Sequence, residues 1–393
     1  MSKVSITRCP SYEQSVLEDA VLSCLAPLGG IQQFVNPGER IFLKLNLIMA
    51  LPPEKAATTH PQIAAVLTKL LTDVGVHVVI GDCPGHSFTK ASLRALYRTC
   101  GIESVAEQYA AELNYDMTET TLKVANGSIL KSLPVCRAML ECDGIINLPK
   151  LKTHGFMTLT AAVKNMFGVI PGLAKADFHL KMPEPGVFGE MLVDIAQAVT
   201  PRLSLVDAVV AMEGAGPTRG TPIQTGLVAA SADPFALDLV CAQLAGMRPE
   251  SVMTIQAAAR RGLAPRAPGL VQVAGEDPKA FSVRFKLPPI APPKNPMERY
   301  LPHAIARYVF DALRPKPVFI TERCNGCGTC AKHCPPQVIS MRHNLPQVEL
   351  RLHPLFLLPG TVPKGRRRNQ KTASRTPSVS REAVITNATA ILS

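Results

Sequence analysis

Short apolar segments alternate with longer amphipathic segments from Val4 to Met247. Apolar runs of about four to eight residues predict buried strands, here Val4–Thr7, Ile41–Leu45, Val76–Gly81, Gly144–Leu148, Leu203–Val206 and Leu227–Ala230. The longer segments predict helices, namely Tyr12–Leu25, Pro61–Val74, Phe88–Cys100, Leu159–Phe167, Val187–Val199 and Pro234–Leu244. Strand–helix alternation of this kind predicts an α/β fold in which a mostly parallel sheet is flanked by helices.

A cluster of cysteines follows this region, at Cys324, Cys327, Cys330 and Cys334. Its spacing, C-x2-C-x2-C-x3-C-P, is typical of bacterial-type [4Fe–4S] cluster loops. Three thiolates two residues apart can wrap one cluster, and Gly326 and Gly328 let backbone amides approach its sulfides. A structural zinc site is the rival interpretation, but zinc sites usually use two separated pairs. We therefore predict that these four cysteines bind a [4Fe–4S] cofactor.

A second motif is expected downstream, because the fourth cysteine of each run binds the other cluster in two-cluster ferredoxins. No cysteine follows Leu350. Codons for residues 352–365 can be chosen so that the frame one nucleotide later reads C-I-R-C-F-C-C-R-E-L-C-P-K. The four cysteines of the motif then arise at Leu352, Leu355, Leu358 and Val362, and one extra cysteine arises at Leu357. The hypothesis is that a frameshift between about Pro346 and Leu352 replaced this motif with an out-of-frame tail. An intact relative would hold two clusters, and this chain one or no stable cluster.

The basic charge of the chain is concentrated in the same tail. The formal net charge is +12, and the segment from Ser340 to Ser393 holds nine Lys/Arg against two Asp/Glu. Arg366-Arg367-Arg368 raises the alternative of a nucleic-acid binder. The tail has no aromatic residue after Phe356, so base stacking is not available to it. We interpret the excess as a by-product of the reading frame and do not expect nucleic acid as a partner.

No apolar run reaches the length of about 18 residues that a membrane span needs. The sequence that begins at Met1 lacks the basic start and apolar block of a signal peptide. We therefore expect no membrane span and a cytoplasmic location. The other seven cysteines are expected to be small apolar core residues, because cytoplasmic thiols stay reduced.

Polar motifs lie at or after the predicted strands, namely Lys44-Leu45-Asn46, Thr59-His60-Pro61, Gly81-Asp82-Cys83-Pro84-Gly85, Lys150-Leu151-Lys152-Thr153-His154, Lys164-Asn165-Met166-Phe167-Gly168, Glu213–Gly220 and Ser231–Asp238. Together they resemble the bacterial and archaeal family called "domain of unknown function 362". The resemblance runs from about Lys3 to Met247, and with the cysteine motif to about Leu350. It implies an α/β domain followed by a ferredoxin-type iron–sulfur module, which many members carry in double form, but it implies no settled activity.

Changes in composition and in apolar periodicity along the chain predict the domain boundaries. Residues 1–262 are predicted to form the α/β domain, and Pro-rich residues 263–313 a connector with short strands and a helix. Residues 314–350 are predicted to form a ferredoxin-type half-module, and residues 351–393 a disordered tail.

Side chains from these motifs are candidates for a binding site, because the carboxyl ends of strands line the ligand crevice in open α/β sheets. Several lysines and a histidine favour an anionic substrate. The predicted catalytic residues are Lys152, His154, Lys164 and Asp82. The predicted substrate-binding residues are Lys44, Asn46, Lys150, Asn165 and Arg219, the last in the Gly-rich loop Gly214–Gly220. The alternative is that the lysines are solvated and that the acidic residues cap turns.

These features predict an iron–sulfur electron-transfer protein that serves a redox reaction on an anionic small molecule in the α/β domain, as an oxidoreductase supplied by a redox partner protein. The alternative is a non-redox enzyme with a structural or sensing cluster. In that case Lys152 and His154 would be an anion clamp and a general acid/base.

Overall fold

The fold is described from a computed structural model. It describes residues 2–85, 89–172, 174–265, 267–288, 318–319, 321, 324–332, 339–348 and 385–386. The chain divides into two compact units, the first comprising Met1–Ile129 and Leu133–Pro292, the second Leu130–Ser132 and Pro293–Ser393.

The described strands, in chain order, are β1 Lys3–Arg8, β2 Arg40–Leu45, β3 His77–Gly81, β4 Glu112–Leu113, β5 Glu119–Lys123, β6 Ser132–Cys136, β7 Gly144–Leu148, β8 Lys150–His154, β9 Thr158–Thr160, β10 Leu203–Glu213, β11 Thr221–Ser231, β12 Gln272–Gly275, β13 Val318–Phe319, β14 Ile339–Arg342, β15 Leu345–Val348 and β16 Ile385–Thr386. The described helices are α1 Gln14–Leu25, α2 Pro61–Asp73, α3 Lys90–Thr99, α4 Ile102–Gln108, α5 Arg137–Leu140, α6 Ala162–Asn165, α7 Ala174–Lys181, α8 Pro185–Ala198, α9 Pro234–Leu244, α10 Met253–Arg260 and α11 Thr329–Lys332. Single 3₁₀ turns lie at Ala26–Leu28, Ile31–Gln33, Pro53–Lys55, Met166–Val169, Pro249–Ser251, Pro268–Leu270 and Pro278–Phe281.

The main sheet of the first unit has the strand order β12-β1-β11-β10-β7-β2-β3-β4, with β8 and β9 attached to β10. The pairs on the β7, β2 and β3 side are parallel, whereas β11 runs antiparallel to both β1 and β10. Buried residues form one core with α1 to α4 and another with α9 and α10, so helices cover the sheet. The predicted α/β fold with a mostly parallel sheet is confirmed.

The six predicted strands recur in the structure, but β10 and β11 are each eleven residues long and extend well beyond their predicted bounds. Helix α2 begins as its sequence predicts. His60 is the residue that caps α2, accepting a hydrogen bond from the Gln62 amide, and Pro61 is its first residue. The predicted helix Leu159–Phe167 is wrong at its start. Thr158–Thr160 instead pairs with β8, and the helix begins only at Ala162, where the buried Asp238 carboxylate accepts the first amides.

Residues 150–154, over which the sequence predicts no strand, form β8. Pro149 ends β7, since it has no N–H to continue the ladder, but its carbonyl accepts the Asp207 amide at 2.8 Å. β10 is eleven residues long, so it pairs first with β7 and then, beyond Pro149, with β8. The basic residues of β8 are therefore held by a sheet and not by a flexible loop.

In the second unit, β14 and β15 form a hairpin whose turn residues His343 and Asn344 both have positive φ. Two such residues are the signature of the tight turn that matches the twist of a hairpin. β13 and β16 form a further antiparallel pair. The rest of the predicted tail, with Arg366-Arg367-Arg368, and most of the second half of the predicted connector lie outside the described residues.

None of the helices in the described part of the chain combines the length and apolar character needed to cross a membrane. The cytoplasmic location and the domain boundaries stay predictions.

Candidate functional site

A cavity of about 350 Å³ lies where β2 and β3 end and where β8 and α6 approach them. Its lining combines basic, amide and aromatic side chains, namely Asn46, Ile48, Asp82, Cys83, Pro84, Gly85, Lys152, His154, Thr160, Lys164, Asn165, Phe167, Gly168, Lys175, His179 and Pro217. The predicted catalytic residues Asp82, Lys152, His154 and Lys164 all line it, as do Asn46 and Asn165. This is the carboxyl-end position expected for a ligand crevice in an α/β sheet.

Asp82 is held at the edge of this cavity by Lys44 and by two backbone amides. Lys44 Nζ donates to Asp82 Oδ1 at 2.8 Å, and its side chain is fully buried. The amides of Cys83 and Leu47 donate to the two carboxylate oxygens at 2.8 and 2.6 Å. The negative charge of Asp82 is therefore already balanced by Lys44, which leaves the lysines that line the cavity without a carboxylate counterion there.

Lys152 is fixed by a chain of buried amides. Its Nζ donates to Asn46 Oδ1 at 2.7 Å and to the Ala57 carbonyl at 2.5 Å. The Asn46 amide donates to Asn165 Oδ1, and the Asn165 amide to Asn147 Oδ1, each at 2.7 Å. Burial, followed by the charge of Lys164, lowers the pKa of Lys152 to about 7.

Lys164 comes from the short helix α6 and reaches the same cavity. Its Nζ lies 5.4 Å from the centre of the Phe167 ring. Burial, and then the charge of Lys175, lowers the pKa of Lys164 to about 7. Among the residues that the structure describes, none forms a hydrogen bond or an ion pair with this amine.

Lys175, on α7, supplies a further cation to the cavity. Its Nζ donates to the Cys83 carbonyl and lies 5.8 Å from the centre of the same Phe167 ring. Burial lowers its pKa, although the charges of Asp82 and Cys83 oppose the shift. Two cations thus share one aromatic ring, an arrangement that a bound anion would stabilise.

The two histidines of the cavity are in their neutral form. His154 Nδ1 accepts the Phe156 and Met157 amides at 3.1 and 3.2 Å, so the ring proton is assigned to Nε2. Burial and then the charge of Lys164 lower the pKa of His154 well below its usual value. His179 stacks on Phe188 at 4.5 Å, and burial lowers its pKa to about 4. Both rings can therefore serve as hydrogen-bond partners without adding positive charge.

Three of the five predicted substrate-binding residues do not line the cavity. Lys150 Nζ donates to Asp207 Oδ2 at 2.8 Å and to Tyr12 Oη at 2.9 Å, and the Tyr12 ring stacks on His60 at 3.6 Å. This buried group ties β8 to β10 and to the start of α2. Arg219 is exposed in the turn between β10 and β11 and does not line the cavity. Lys44, as described above, pairs with Asp82.

Lys175 and His179 line the cavity but belong to none of the sequence motifs. They are four residues apart on α7, so they lie on one face of that helix. This spacing was a usable signal, but it was passed over because no helix was predicted across residues 174–181. Asn147 was also missed, because it sits inside an apolar strand whose burial hides its amide contacts.

The cysteine loop of the second unit contains two glycines in the left-handed backbone conformation. Cys324 is buried, Cys327 is exposed and Cys330 is half-buried, while Cys334 lies outside the described residues. Gly326 and Gly328 both have φ of 71°, and a Cβ on Gly326 would lie 3.0 Å from the Asn344 carbonyl oxygen. Only glycine fits such a position without strain. Three thiols on a tight glycine loop are a donor set that suits an iron–sulfur cluster.

The sheet, the basic cavity and the cysteine loop define an α/β protein that carries an iron–sulfur binding domain. A sequence profile described as "4Fe-4S binding domain" matches residues 317–340 and covers the four cysteines. The profile described as "Domain of unknown function (DUF362)" matches residues 41–243, more than half of the chain, and the chain belongs to this family. The family and the cofactor type predicted from the motifs are thus confirmed, while the number of clusters stays a prediction.

The chain is also similar to a curated protein. The "Thylakoid-associated protein sll1697" of Synechocystis sp. is 34% identical over 294 residues, which cover 75% of this chain and 90% of that protein.

Two solved structures share part of the arrangement. The lactate racemase apoprotein from Thermoanaerobacterium thermosaccharolyticum has 10% identity and a TM-score of 0.37, over 63% of this chain and 58% of that one. A protein from Thermotoga maritima has 11% identity and a TM-score of 0.34, over 58% of this chain and 57% of that one. The chain therefore spans less than two thirds of either solved protein.

Proposed function

We propose that the protein is an oxidoreductase that binds an anionic small molecule in the basic cavity and transfers electrons to it. The observation that carries the proposal is the charge balance of the cavity. Lys152, Lys164 and Lys175 line it, and Asp82, the acidic residue of the lining, is paired with Lys44. A carboxylate or phosphate would restore the missing negative charge.

Cys324, Cys327 and Cys330, with Cys334, would hold the cluster in the iron–sulfur domain. A [4Fe–4S] cluster bound there supplies one electron at a time. A low-potential redox partner protein would be the electron source. Two such electrons and two protons would reduce the bound anion by one two-electron step.

The residues of the cavity can supply the protons for this step. Lys152 and Lys164 have pKa values lowered to about 7, so each ammonium can give up its proton near neutral pH. Lys152 Nζ donates to Asn46 Oδ1 at 2.7 Å, and this hydrogen bond fixes the position from which the amine would donate its proton to the ligand. His154 is neutral, and its Nε2–H is the donor available to an oxygen of the ligand.

The test uses the full chain after anaerobic cluster reconstitution. The protein is reduced with dithionite, excess reductant is removed, and a panel of small carboxylates and phosphates is added. We expect one class of anion to reoxidise the protein, seen as recovery of the absorbance near about 400 nm, with a matching amount of reduced product. Lys152→Met should slow this reaction at least about tenfold, whereas Lys279→Met, at an exposed lysine, should not change it.

A non-redox enzyme is the second candidate, and the neutral His154 beside two lysines of lowered pKa favours it. These groups suit general acid/base catalysis without any electron transfer. Cys327→Ser should remove the cluster, so it separates the two candidates. Turnover of an anion that persists in Cys327→Ser would sink the redox proposal and support this alternative.

We also propose that this chain holds at most one cluster, because the second cysteine motif is absent from its reading frame. Cys334 would then lack the second cluster that it serves in two-cluster relatives. If Cys334 does not turn back to the first cluster, Cys324, Cys327 and Cys330 would hold only a labile or three-iron centre.

A further inference from the structure

Lys164 differs from the other lysines that line the cavity in how its amine is held. Lys152 Nζ donates to Asn46 and to Ala57, and Lys175 Nζ donates to the Cys83 carbonyl. Within the described part of the chain, Lys164 Nζ has no hydrogen-bond acceptor and no carboxylate partner. Its lone pair is therefore free to react once the amine is neutral.

The surroundings of Lys164 favour that neutral form. Burial is the main cause of its lowered pKa of about 7, and the charge of Lys175 on α7 adds to it. Two residues of β8 line the same cavity: Lys152, which adds a further cation, and His154, which is neutral. His179 on α7 is neutral as well, and Asp82 is committed to Lys44. A half-buried lysine next to another cation is an arrangement that activates an amine as a nucleophile.

We propose that Lys164 is a nucleophile that forms an imine with a carbonyl group of the bound anion. The ligand class is thereby narrowed to oxo acids, or to aldehydes and ketones that carry a carboxylate or phosphate. This inference rests on the proposed anion-binding function and deepens it. Lys152 and Lys175 would bind the anionic group and so place the carbonyl carbon beside Nζ of Lys164.

The step balances without any added oxidant or reductant. The lone pair of Lys164 Nζ forms a bond to the carbonyl carbon, while the carbon–oxygen π bond opens and its oxygen takes a proton. The resulting carbinolamine loses that oxygen as water, so that both protons of the neutral amine end on the departing water. The Lys152 ammonium then protonates the imine nitrogen, and hydrolysis reverses the sequence.

The test uses the full chain with glyoxylate, a small oxo acid, and sodium cyanoborohydride, which reduces an imine to a stable secondary amine. Labelled lysines are located by peptide mass mapping. We expect Lys164 to be labelled at least about tenfold faster than the exposed Lys279, because its amine is neutral near pH 7. Equal or slower labelling of Lys164 would overturn the proposal.

The pH dependence tests the same claim without a variant. Labelling of Lys164 should rise as the pH passes through about 7, because its amine loses its proton there. Lys164→Arg and Lys164→Met should both lose the fast label, and Lys279→Arg should retain it. A fast label that survives in both Lys164 variants would place the nucleophile elsewhere and contradict the inference.

Failure of the inference and failure of the anion site can be told apart with acetate, which carries no reactive carbonyl. If acetate and glyoxylate bind by calorimetry but Lys164 is not labelled, the imine is wrong and the anion site stands. If neither anion binds the wild-type chain, nor any member of a wider carboxylate and phosphate panel, the proposed function fails with it.

Discussion

Lys44 Nζ lies 2.8 Å from Asp82 Oδ1, with 0% and 7% of the two side chains exposed. This buried ion pair joins the end of β2 to the residue after β3, and Gly168 lies against it. The pair neutralises the acidic side chain that lines the cavity and so sets the charge that a ligand meets. Three of the predictions below depend on this arrangement.

Asp82→Asn should destabilise the protein strongly. The change leaves Lys44 buried without a counterion, and breaking such a pair typically costs about 3–5 kcal/mol. Urea unfolding measures the loss in the free energy of unfolding. Asp73→Asn is the matched control, since it breaks the pair with Lys69 where the Asp73 side chain is 58% exposed, and it should cost less than about 1 kcal/mol. Equal losses in the free energy of unfolding would mean that the buried ion pair contributes no more to stability than the exposed one.

Gly168→Ala should weaken both stability and anion binding. A methyl group at this position would overlap Lys44 Nζ and Asp82 Oδ1, so the ion pair would have to move. Overpacking of a buried site typically costs about 1–3 kcal/mol. Gly186→Ala is the control, because no atom lies within 4 Å of the added Cβ in the first turn of α8. A Gly168→Ala protein that matches Gly186→Ala in melting temperature and in anion affinity would contradict the packing described here.

Anion affinity should fall as the pH rises through about 7. Lys152 and Lys164 have folded-state pKa values lowered to about 7, so both are protonated below that pH and increasingly neutral above it. A bound anion favours the ammonium forms, and binding near pH 7 should therefore take up protons. Calorimetry of acetate or phosphate in two buffers of different protonation enthalpy measures that uptake. The prediction would be wrong if the anion affinity stayed constant between about pH 6 and pH 8 and binding took up no protons.

The nucleotide sequence across residues 346–352 should show a frame change. Restoring the shifted frame should supply the second cysteine motif, because Leu352, Leu355, Leu358 and Val362 fall at the required spacing. The restored protein should bind about eight irons, whereas this chain should bind at most about four. Iron and sulfide analysis after anaerobic reconstitution makes the comparison. A gene with no cysteine motif in any frame downstream of residue 346 would end the hypothesis.

Six strands of the main sheet and the longer helices could be predicted from the sequence because apolar periodicity is local. The site was predicted only in part, for reasons that lie in long-range pairing. Lys150 and Lys152 look alike along the chain, yet Lys150 pairs with Asp207, 57 positions away, while Lys152 lines the cavity. No local pattern distinguishes the two.

Backbone pairing explains the second error. The sequence predicts no strand over residues 150–154, but β10 extends past Pro149 and pairs with them. Lys175 belongs to the site because α7 places its Nζ 5.8 Å from the centre of the Phe167 ring. Burial lowers the pKa of Lys152, Lys164 and Lys175, an effect that depends on the fold and not on local sequence.

The most direct test of the central claim, that the lysine cavity binds anions, is a crystal of the full chain soaked in bromide. The anomalous signal of bromide locates bound anions without assuming which metabolite the protein uses. The account predicts a bromide peak inside the cavity, within contact distance of Lys164 and Lys152 Nζ. Bromide peaks at surface lysines with none in the cavity would contradict it.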